Sequence, residues 1–240
     1  MNVQVIVSQV QLRSLIGGLN MGKLVVIEGA CDGIGKSTQF NYLKEHLIKD
    51  GYVVDSHHFP SYNTYQGVPV EKYLSGEYGC VSELSPYFIH GLYAMDRAIT
   101  WQTLLKNKYN DGHVILLDRY TTSSLLYQAA LIEDITERLK FVSYAEDYEY
   151  NKLGVQRPDN VIFLTAPFDL VTKIRSKRVD NDGVKNDIHE RDIEFMKKVY
   201  ENACMVAEYL NWNIIECSKN NEMRTVDDIH EDVYKLVRMK

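Results

Sequence analysis

The chain has 240 residues, a length that favours one domain over two. Hydrophobic residues make up 45% of it, which is ample for a packed core, and the net charge of −6 argues against a nucleic-acid partner. The sequence contains no apolar run of about 18 residues, so it predicts no membrane partner. Its four cysteines form no C-x-x-C pair, which predicts free thiols in a reducing, cytoplasmic compartment.

The first 20 residues differ from the rest. They contain one charged residue, Arg13, and no small-residue cleavage pattern, so a secretory signal is not predicted. The recognisable domain pattern begins just after Met21, which could itself serve as a start. We expect a dispensable N-terminal extension over 1–20 and a single domain over 21–240.

Five short apolar runs predict buried strands, and helical patterns separate them. The strands are Leu24–Ile27, Val53–His57, Val114–Leu117 (followed by Asp118), Val161–Leu164 and Ile214–Cys217. The first helical pattern consists of Phe40, Leu43 and Leu47, and three more cover Leu84–Tyr109, Phe195–Leu210 and Thr225–Val237. In the last of these, Thr225 and Asp228 form a capping pair. This alternation predicts a three-layer α/β fold with a mostly parallel sheet, in which ligands bind beyond the carboxyl ends of the strands.

The strongest functional signal is the segment Glu28–Thr38, which reads EGACDGIGKST directly after the first predicted strand. A loop of small residues between a strand and a helix lets backbone N–H groups surround phosphate oxygens. Lys36 would reach the β- and γ-phosphates of ATP, and the hydroxyl of Ser37 would bind Mg²⁺. Either Ala30 takes the place of the first glycine, or the loop is one residue longer than usual. The ATP-binding residues predicted here are Asp32, Gly33, Ile34, Gly35, Lys36, Ser37 and Thr38.

Other segments carry candidate acceptor residues. Asp118 and Arg119 follow the third strand, where Arg119 could clamp a phosphate and Asp118 could orient it or hold Mg²⁺. Tyr93 and Arg97 lie four residues apart on one face of a predicted helix, as stacking and edge-bonding partners of a base would. A basic stretch that includes Arg175 and Arg178 runs into a polar loop, which predicts a mobile lid over ATP at about 175–190.

Together these segments resemble the thymidylate kinases from about residue 22 to the end of the chain. The resemblance rests on the loop Glu28–Thr38, on Phe59-Pro60 with Gly67 and the later Tyr73–Gly76, on Tyr93 with Arg97, and on Asp118-Arg119-Tyr120 followed by Ser123, Tyr127 and Gln128. Arg157-Pro158-Asp159 and Cys217-Ser218-Lys219 also fit. The loop is specific to the P-loop superfamily, whereas the Asp118–Gln128 stretch with the Phe-Pro segment is specific to the family.

The resemblance implies a P-loop fold with a five-stranded parallel sheet flanked by helices, a short lid and a homodimer. In the family's pattern, Asp32 binds the deoxyribose 3′-hydroxyl and Tyr127 crowds the 2′ position, which disfavours ribonucleotides. Arg119 holds the acceptor phosphate and Arg178 lies near the γ-phosphate. The implied dTMP-binding residues are Asp32, Phe59, Pro60, Tyr62, Tyr93, Arg97, Arg119, Ser123, Ser124, Tyr127 and Gln128. Arg175, Ser218 and Lys219 are implied on the ATP side.

Two positions depart from the family's pattern. Tyr62 occupies a place where many members carry an arginine for the acceptor phosphate, so that phosphate must depend on Arg119. Gly33 stands where some members carry a basic residue, which gives Arg178 and its neighbours in the lid more importance.

The function expected from this combination is transfer of the γ-phosphoryl group of ATP to dTMP, with Lys36, Arg119, Arg178 and Asp118 as the catalytic residues and Mg²⁺ on Ser37 and Asp118. One alternative is a deoxynucleoside kinase, which needs a carboxylate base at the end of the second strand. Only Asp55 lies near that position, and we expect it within the strand. The other alternative is a nucleotide-binding module without turnover, although the guanine signature of GTPases is absent.

Overall fold

The computed structural model describes residues 22–174 and 193–237. The predicted extension, 1–20, and the predicted lid, 175–190, with Arg175 and Arg178, therefore lie outside the described residues.

A parallel sheet of five strands forms the centre of the fold, in the order β2-β3-β1-β4-β5. Its strands are β1 (Lys23–Gly29), β2 (Val54–His58), β3 (Val114–Asp118), β4 (Asn160–Thr165) and β5 (Asn213–Glu216), and a small antiparallel hairpin, β6 (Ser218–Lys219) with β7 (Glu222–Met223), follows. Each strand lies within two residues of its predicted bounds. The five-stranded α/β prediction is confirmed.

Nine α-helical segments among the described residues flank the sheet. They are α1 (Lys36–Lys49), α2 (Val68–Leu74), α3 (Pro86–Thr100), α4 (Lys106–Asn110), α5 (Thr121–Tyr127), α6 (Ile135–Glu146), α7 (168–174 as described), α8 (Ile193–Tyr209) and α9 (Val226–Val237). Two π-helical turns, Trp101–Leu105 and Asp147–Lys152, follow α3 and α6, and short 3-10 turns occupy Val81–Glu83 and Ala129–Leu131.

The strand β1 separates the hydrophobic core into two halves because its side chains alternate across the sheet. Val25 and Ile27 pack with Leu43 and Leu47 of α1 and with α9 on one face. Leu24 and Val26 pack on the other face with Trp101, in a cluster that also contains Ala98 of α3. Each of these β1 side chains is fully buried, which explains the uninterrupted apolar run that predicted a central strand.

The helical predictions hold for the long amphipathic segments. The backbone N–H of Asp228 donates to Thr225 Oγ1 at 3.1 Å, which confirms the capping interaction at the start of α9. The sequence patterns did not reveal α2, α5 or α6. The helix α5 is only seven residues long and begins with two threonines and two serines, which have low helix propensity, so tertiary contacts decide its conformation.

Two further properties of the described residues concern their helices and their cysteines. None of their helices has both the length and the apolar character that crossing a membrane requires. No disulfide joins the four cysteines, all of which lie among the described residues.

Candidate active site

The phosphate loop connects β1 to α1 at the carboxyl edge of the sheet. Gly35 precedes the first helical residue with a left-handed φ of 100°. A Cβ on Gly29 would lie 2.7 Å from Ile34 Cγ2, so the loop folds back closely onto this position and glycine fits there best. This favours the interpretation in which Gly29 is the first glycine and the loop is one residue longer than usual.

Lys36 and Asp118 meet where β1 and β3 end. The Lys36 ammonium donates to Asp118 Oδ1, and His58 Nδ1 lies 3.0 Å from Asp118 Oδ2. Burial, and next the nearby Arg119 guanidinium, lower the pKa of Lys36. Burial alone would raise the pKa of Asp118, but the hydrogen bond with His58 and the charge of Lys36 hold it well below its usual range. The carboxylate is thus ionised and lies between two nitrogen groups.

Arg119 reaches back towards the phosphate loop. Its backbone has a left-handed φ of 66°, which is uncommon for a residue other than glycine and is often found at functional sites. The guanidinium donates from Nη2 to Asp32 Oδ1 at 2.6 Å and lies 5.3 Å from the centre of the Tyr127 ring. The Tyr127 hydroxyl donates to Asp32 Oδ2 at 3.3 Å. Asp32, Arg119 and Tyr127 therefore form one cluster, although they come from the loop, the end of β3 and α5.

The Phe-Pro segment follows β2 and is fixed by buried polar contacts. The backbone N–H of Ser61 donates to Asp96 Oδ2 on α3 at 2.7 Å, and that of Phe59 donates to the Asp118 carbonyl at 3.1 Å. A Cβ on Gly67 would lie 2.1 Å from the Ser61 carbonyl oxygen, which explains the glycine at this position. These contacts hold the segment beside Arg119.

Tyr93 and Arg97 lie on the same face of α3, as their spacing predicted. The Arg97 guanidinium lies 6.0 Å from the centre of the Tyr93 ring, and the buried Tyr73 of α2 supports that ring edge-on at 6.2 Å. Arg97 is buried and forms a two-bond ion pair with Glu149, with distances of 2.7 Å from Nε and 2.6 Å from Nη2. The ion pair with Glu149 therefore fixes the position of the Arg97 guanidinium.

All eleven predicted acceptor residues line one cavity of about 230 Å³. The cavity extends from the Asp32–Arg119 cluster to the Tyr93–Arg97 face of α3. Its other lining residues were not in the predicted set: they are His58, Leu74, Tyr120 and Met196. Met196 comes from α8, a helix for which the sequence showed only an apolar periodicity. Glu149 behind the cavity was also missed, because it belongs to an acidic run, Glu146–Glu149, that looks like a solvated surface.

The residues predicted to bind ATP are spread over more distant elements than the predicted acceptor residues. Ser37 and Thr38 are exposed at the first turn of α1, where a helix N-terminus attracts anions. Ser218 and Lys219 lie on the hairpin beyond β5, where the Ser218 hydroxyl donates to Glu216 Oε1 at 2.6 Å and Lys219 is exposed. Cys217, just before them, packs in the same buried cluster as Cys31 of the phosphate loop.

The position where a nucleoside kinase would need its base carboxylate contains no acidic residue. The strand β2 ends in His57 and His58, and Asp55 lies within the strand as expected. Its carboxylate accepts bonds of 2.6 Å from Lys108 and from His113, and these lower its pKa although burial opposes them. The deoxynucleoside kinase alternative therefore lacks its central residue.

Known proteins resemble this chain along most of its length. A family model described as thymidylate kinase matches residues 27–229. A probable thymidylate kinase of Thermococcus gammatolerans is 32% identical over 92% of this chain and 98% of its own length, and the thymidylate kinase of Schizosaccharomyces pombe is 28% identical over 91% and 92%. The solved thymidylate kinase of Candida albicans shares the fold, with a TM-score of 0.68 at 22% identity over 90% of this chain and 91% of that one. The chain belongs to the thymidylate kinase family.

Proposed function

We propose that this protein transfers the γ-phosphoryl group of ATP to dTMP, which gives dTDP for dTTP synthesis. The observation that carries the proposal is the single cavity that joins a paired aromatic ring and arginine, Tyr93 and Arg97, to a phosphate-binding arginine, Arg119, beside the ATP loop. One mononucleotide can span these two ends, with its base at α3 and its phosphate next to Lys36.

In this arrangement each part of the acceptor has its own partners. Tyr93 stacks on the base and Arg97 bonds its edge, with Ser124 and Gln128 beside them. Asp32 accepts a hydrogen bond from the sugar 3′-hydroxyl. The Arg119 guanidinium and the Asp32 carboxylate hold the Tyr127 ring in place. In that position the ring fills the space where a ribose 2′-hydroxyl would lie.

The phosphoryl transfer itself requires alignment and charge stabilisation. The acceptor phosphate oxygen is already ionised, so no general base is needed. Burial, and next the positive charge of Arg119, lower the pKa of Lys36, and an anion between the two cations would relieve their repulsion. We propose that these two residues, with Arg178 of the predicted lid, stabilise the phosphoryl group in transfer, and that Arg175, Ser218 and Lys219 bind ATP.

The residues at the phosphate loop are also suited to Mg²⁺. The Ser37 hydroxyl is exposed at the start of α1, and the Asp118 carboxylate is held ionised by its neighbours. Both offer the hard oxygen ligands that Mg²⁺ prefers, Asp118 directly or through water. When bound, the ion would neutralise charge on the ATP phosphates, while Lys36 and His58 orient the Asp118 carboxylate.

We also propose a homodimer in the cytoplasm. Phe88 and Met95 lie seven residues apart on one face of α3, and about 46% and 45% of their respective surfaces are exposed. Two such faces packed together would bury both side chains. Sedimentation analysis should give twice the chain mass, and Met95→Lys should reduce it to one chain. A monomeric wild-type protein at micromolar concentration would contradict the dimer.

The experiment that tests the function is a coupled ADP-release assay with ATP, Mg²⁺ and a panel of acceptors: dTMP, dUMP, dCMP, dGMP, UMP and thymidine. Strong turnover of dTMP, weaker turnover of dUMP and little turnover of UMP or thymidine is expected. Turnover of thymidine without dTMP would make the protein a nucleoside kinase. Nucleotide binding without turnover of any acceptor would support a non-catalytic module.

A further inference from the structure

Glu149 occupies a place behind the acceptor cavity that no sequence motif indicated. It lies in the π-helical turn Asp147–Lys152, and its side chain is completely buried. Turns of this kind are rare in proteins, and those that occur are often found at functional sites. A buried carboxylate needs compensating partners, because an unpaired charge in the protein interior is strongly unfavourable.

The partners of Glu149 come from two other elements. Its Oε2 accepts bonds from Arg97 Nε at 2.7 Å and from Thr121 Oγ1 at 2.8 Å, and its Oε1 accepts one from Arg97 Nη2 at 2.6 Å. The neighbouring His90 is also fully buried, with Nδ1 3.7 Å from Glu149 Oε1. Burial lowers the pKa of His90 to about 4, so it is neutral near pH 7. The charge that balances Glu149 is therefore that of Arg97.

Most of the N–H groups of Arg97 already donate hydrogen bonds within the protein. Besides the two bonds to Glu149, Nη2 donates to Ser124 Oγ at 2.8 Å and Nη1 donates to the Tyr120 carbonyl at 3.3 Å. A guanidinium has five N–H groups, so among the described residues one N–H of Nη1 is left for a ligand. Arg97 also lines the acceptor cavity, where a bound nucleotide would supply a hydrogen-bond acceptor.

We propose that Glu149 is a positioning residue for the acceptor base: it holds two N–H groups of Arg97, so that the guanidinium presents a single donor to a carbonyl oxygen of the base. The inference rests on the proposed function. Thymine and uracil carry a carbonyl at the position where cytosine carries an amino group. A fixed donor favours the first two bases, whereas a guanidinium free to rotate would discriminate less between them and cytosine.

The test measures the dissociation constants of the full chain for dTMP, dCMP and ATP by calorimetry. In Glu149→Gln the dissociation constant for dTMP should rise by about tenfold or more, the size of a lost hydrogen bond to a charged group. The preference for dTMP over dCMP should fall, and ATP binding should stay within about twofold of wild type. Glu146→Gln is the matched control, because it removes a carboxylate from the same helical stretch, where Glu146 pairs with the exposed Arg157.

A second set of variants covers the case in which Glu149→Gln does not fold. Arg97→Met combined with Glu149→Leu removes both charges and leaves neither of them buried alone. If Glu149 acts through Arg97, the double variant should bind dTMP no more weakly than Arg97→Met by itself. An additional loss of several-fold, or a folded Glu149→Gln with wild-type affinity and dTMP preference, would overturn the proposal.

These results separate the inference from the proposed function. Turnover of dTMP by the wild-type protein decides the function, whereas binding of dTMP decides the role of Glu149. A wild-type protein that binds dTMP without phosphorylating it would overturn the function and still allow the Glu149 variants to be judged. A wild-type protein that does not bind dTMP would overturn both.

Discussion

Two arginines line the same cavity and differ in almost every physical respect. Arg97 is 1% exposed, forms a two-bond ion pair with Glu149 and leaves one N–H for a ligand among the described residues. The side chain of Arg119 is 22% exposed, forms a one-bond ion pair with Asp32 and contacts the hydroxyl and ring of Tyr127. The first arginine is buried and almost saturated, whereas the second is more exposed and uses fewer of its N–H groups among the described residues.

The difference fits the roles proposed for the two ends of the cavity. A base edge is neutral and is recognised by the direction of a few hydrogen bonds, so a rigid donor is an advantage. A phosphate is charged and changes its bonding during transfer, so a cation with several open donors suits it better. Changes at the Arg97 end should therefore affect stability and base affinity, and changes at the Arg119 end should affect turnover.

The largest effect is expected for Lys36→Met, at the phosphate end. We expect kcat to fall by about three orders of magnitude, because a cation that stabilises the transferring phosphoryl group is lost. The fold should remain intact, because His58 still bonds the Asp118 carboxylate when the Lys36 ammonium is removed. Steady-state kinetics and circular dichroism measure the two properties, with Lys49→Met at the exposed last turn of the same helix as a control. Near-normal turnover would disprove the assignment of the phosphate loop.

The next largest effect is expected for Arg97→Met, on stability. This variant leaves the buried Glu149 carboxylate without its counter-charge, a situation that costs about 3–5 kcal/mol of unfolding free energy. Urea denaturation should show this loss for Arg97→Met and less than about 1 kcal/mol for Arg119→Met, whose partner Asp32 is partly exposed. Equal losses for the two variants would contradict the contrast between the arginines.

A pH dependence of stability should come from His90 behind the base end of the cavity. Its folded-state pKa of about 4 lies below the unfolded value of about 6.5, so the unfolded chain binds the proton more tightly. The neutral ring gives its full contribution above about pH 6.5, and that contribution is lost as the pH falls towards 4, with a slope of up to about 1.4 kcal/mol per pH unit.

The variant His90→Phe isolates this effect. Both ring nitrogens of His90 are buried without a hydrogen-bond partner among the described residues, so an apolar ring of similar shape should be tolerated. The difference in unfolding free energy between wild type and variant should grow between pH 6.5 and pH 4. A difference that stays constant over this range would show that His90 does not remain neutral in the folded protein.

The smallest effect is expected far from both arginines. Thr225→Ala removes the side-chain acceptor at the start of α9, which should lower the unfolding free energy by about 1 kcal/mol. The kinetic constants for dTMP and ATP should not change. The variant thus gives the size of a stability change that has no functional consequence, against which the loss in Arg97→Met can be judged.

The sequence predicted the fold and a set of residues that line one cavity, for identifiable reasons. The residues Leu24–Ile27 of β1 are all apolar and buried on both faces of the sheet, so their pattern is clear. The loop Glu28–Thr38 and the residues Asp118–Gln128 form local motifs in which neighbours in sequence share one task. Such patterns depend on short-range geometry, and the structure brings the predicted acceptor residues into one cavity.

The parts that could not be predicted depend on long-range contacts. Glu149 meets Arg97 across 52 positions of the chain, and its acidic neighbours make it resemble surface. The helix α5 carries residues of low helix propensity, and its buried side chains come to lie inside only when the surrounding elements assemble. No local pattern encodes either feature, because the partner that decides it lies elsewhere in the sequence.

The most direct test of the division between the two arginines compares the binding of dTMP with that of thymidine, which has the same base and sugar but no phosphate. Arg119→Met should weaken binding of dTMP by tenfold or more and leave thymidine within about twofold of wild type. Arg97→Met should weaken both ligands by the same factor, because both present the same base. If Arg119→Met weakens thymidine as much as dTMP, or if Arg97→Met affects dTMP alone, the two ends of the cavity do not have the roles assigned to them.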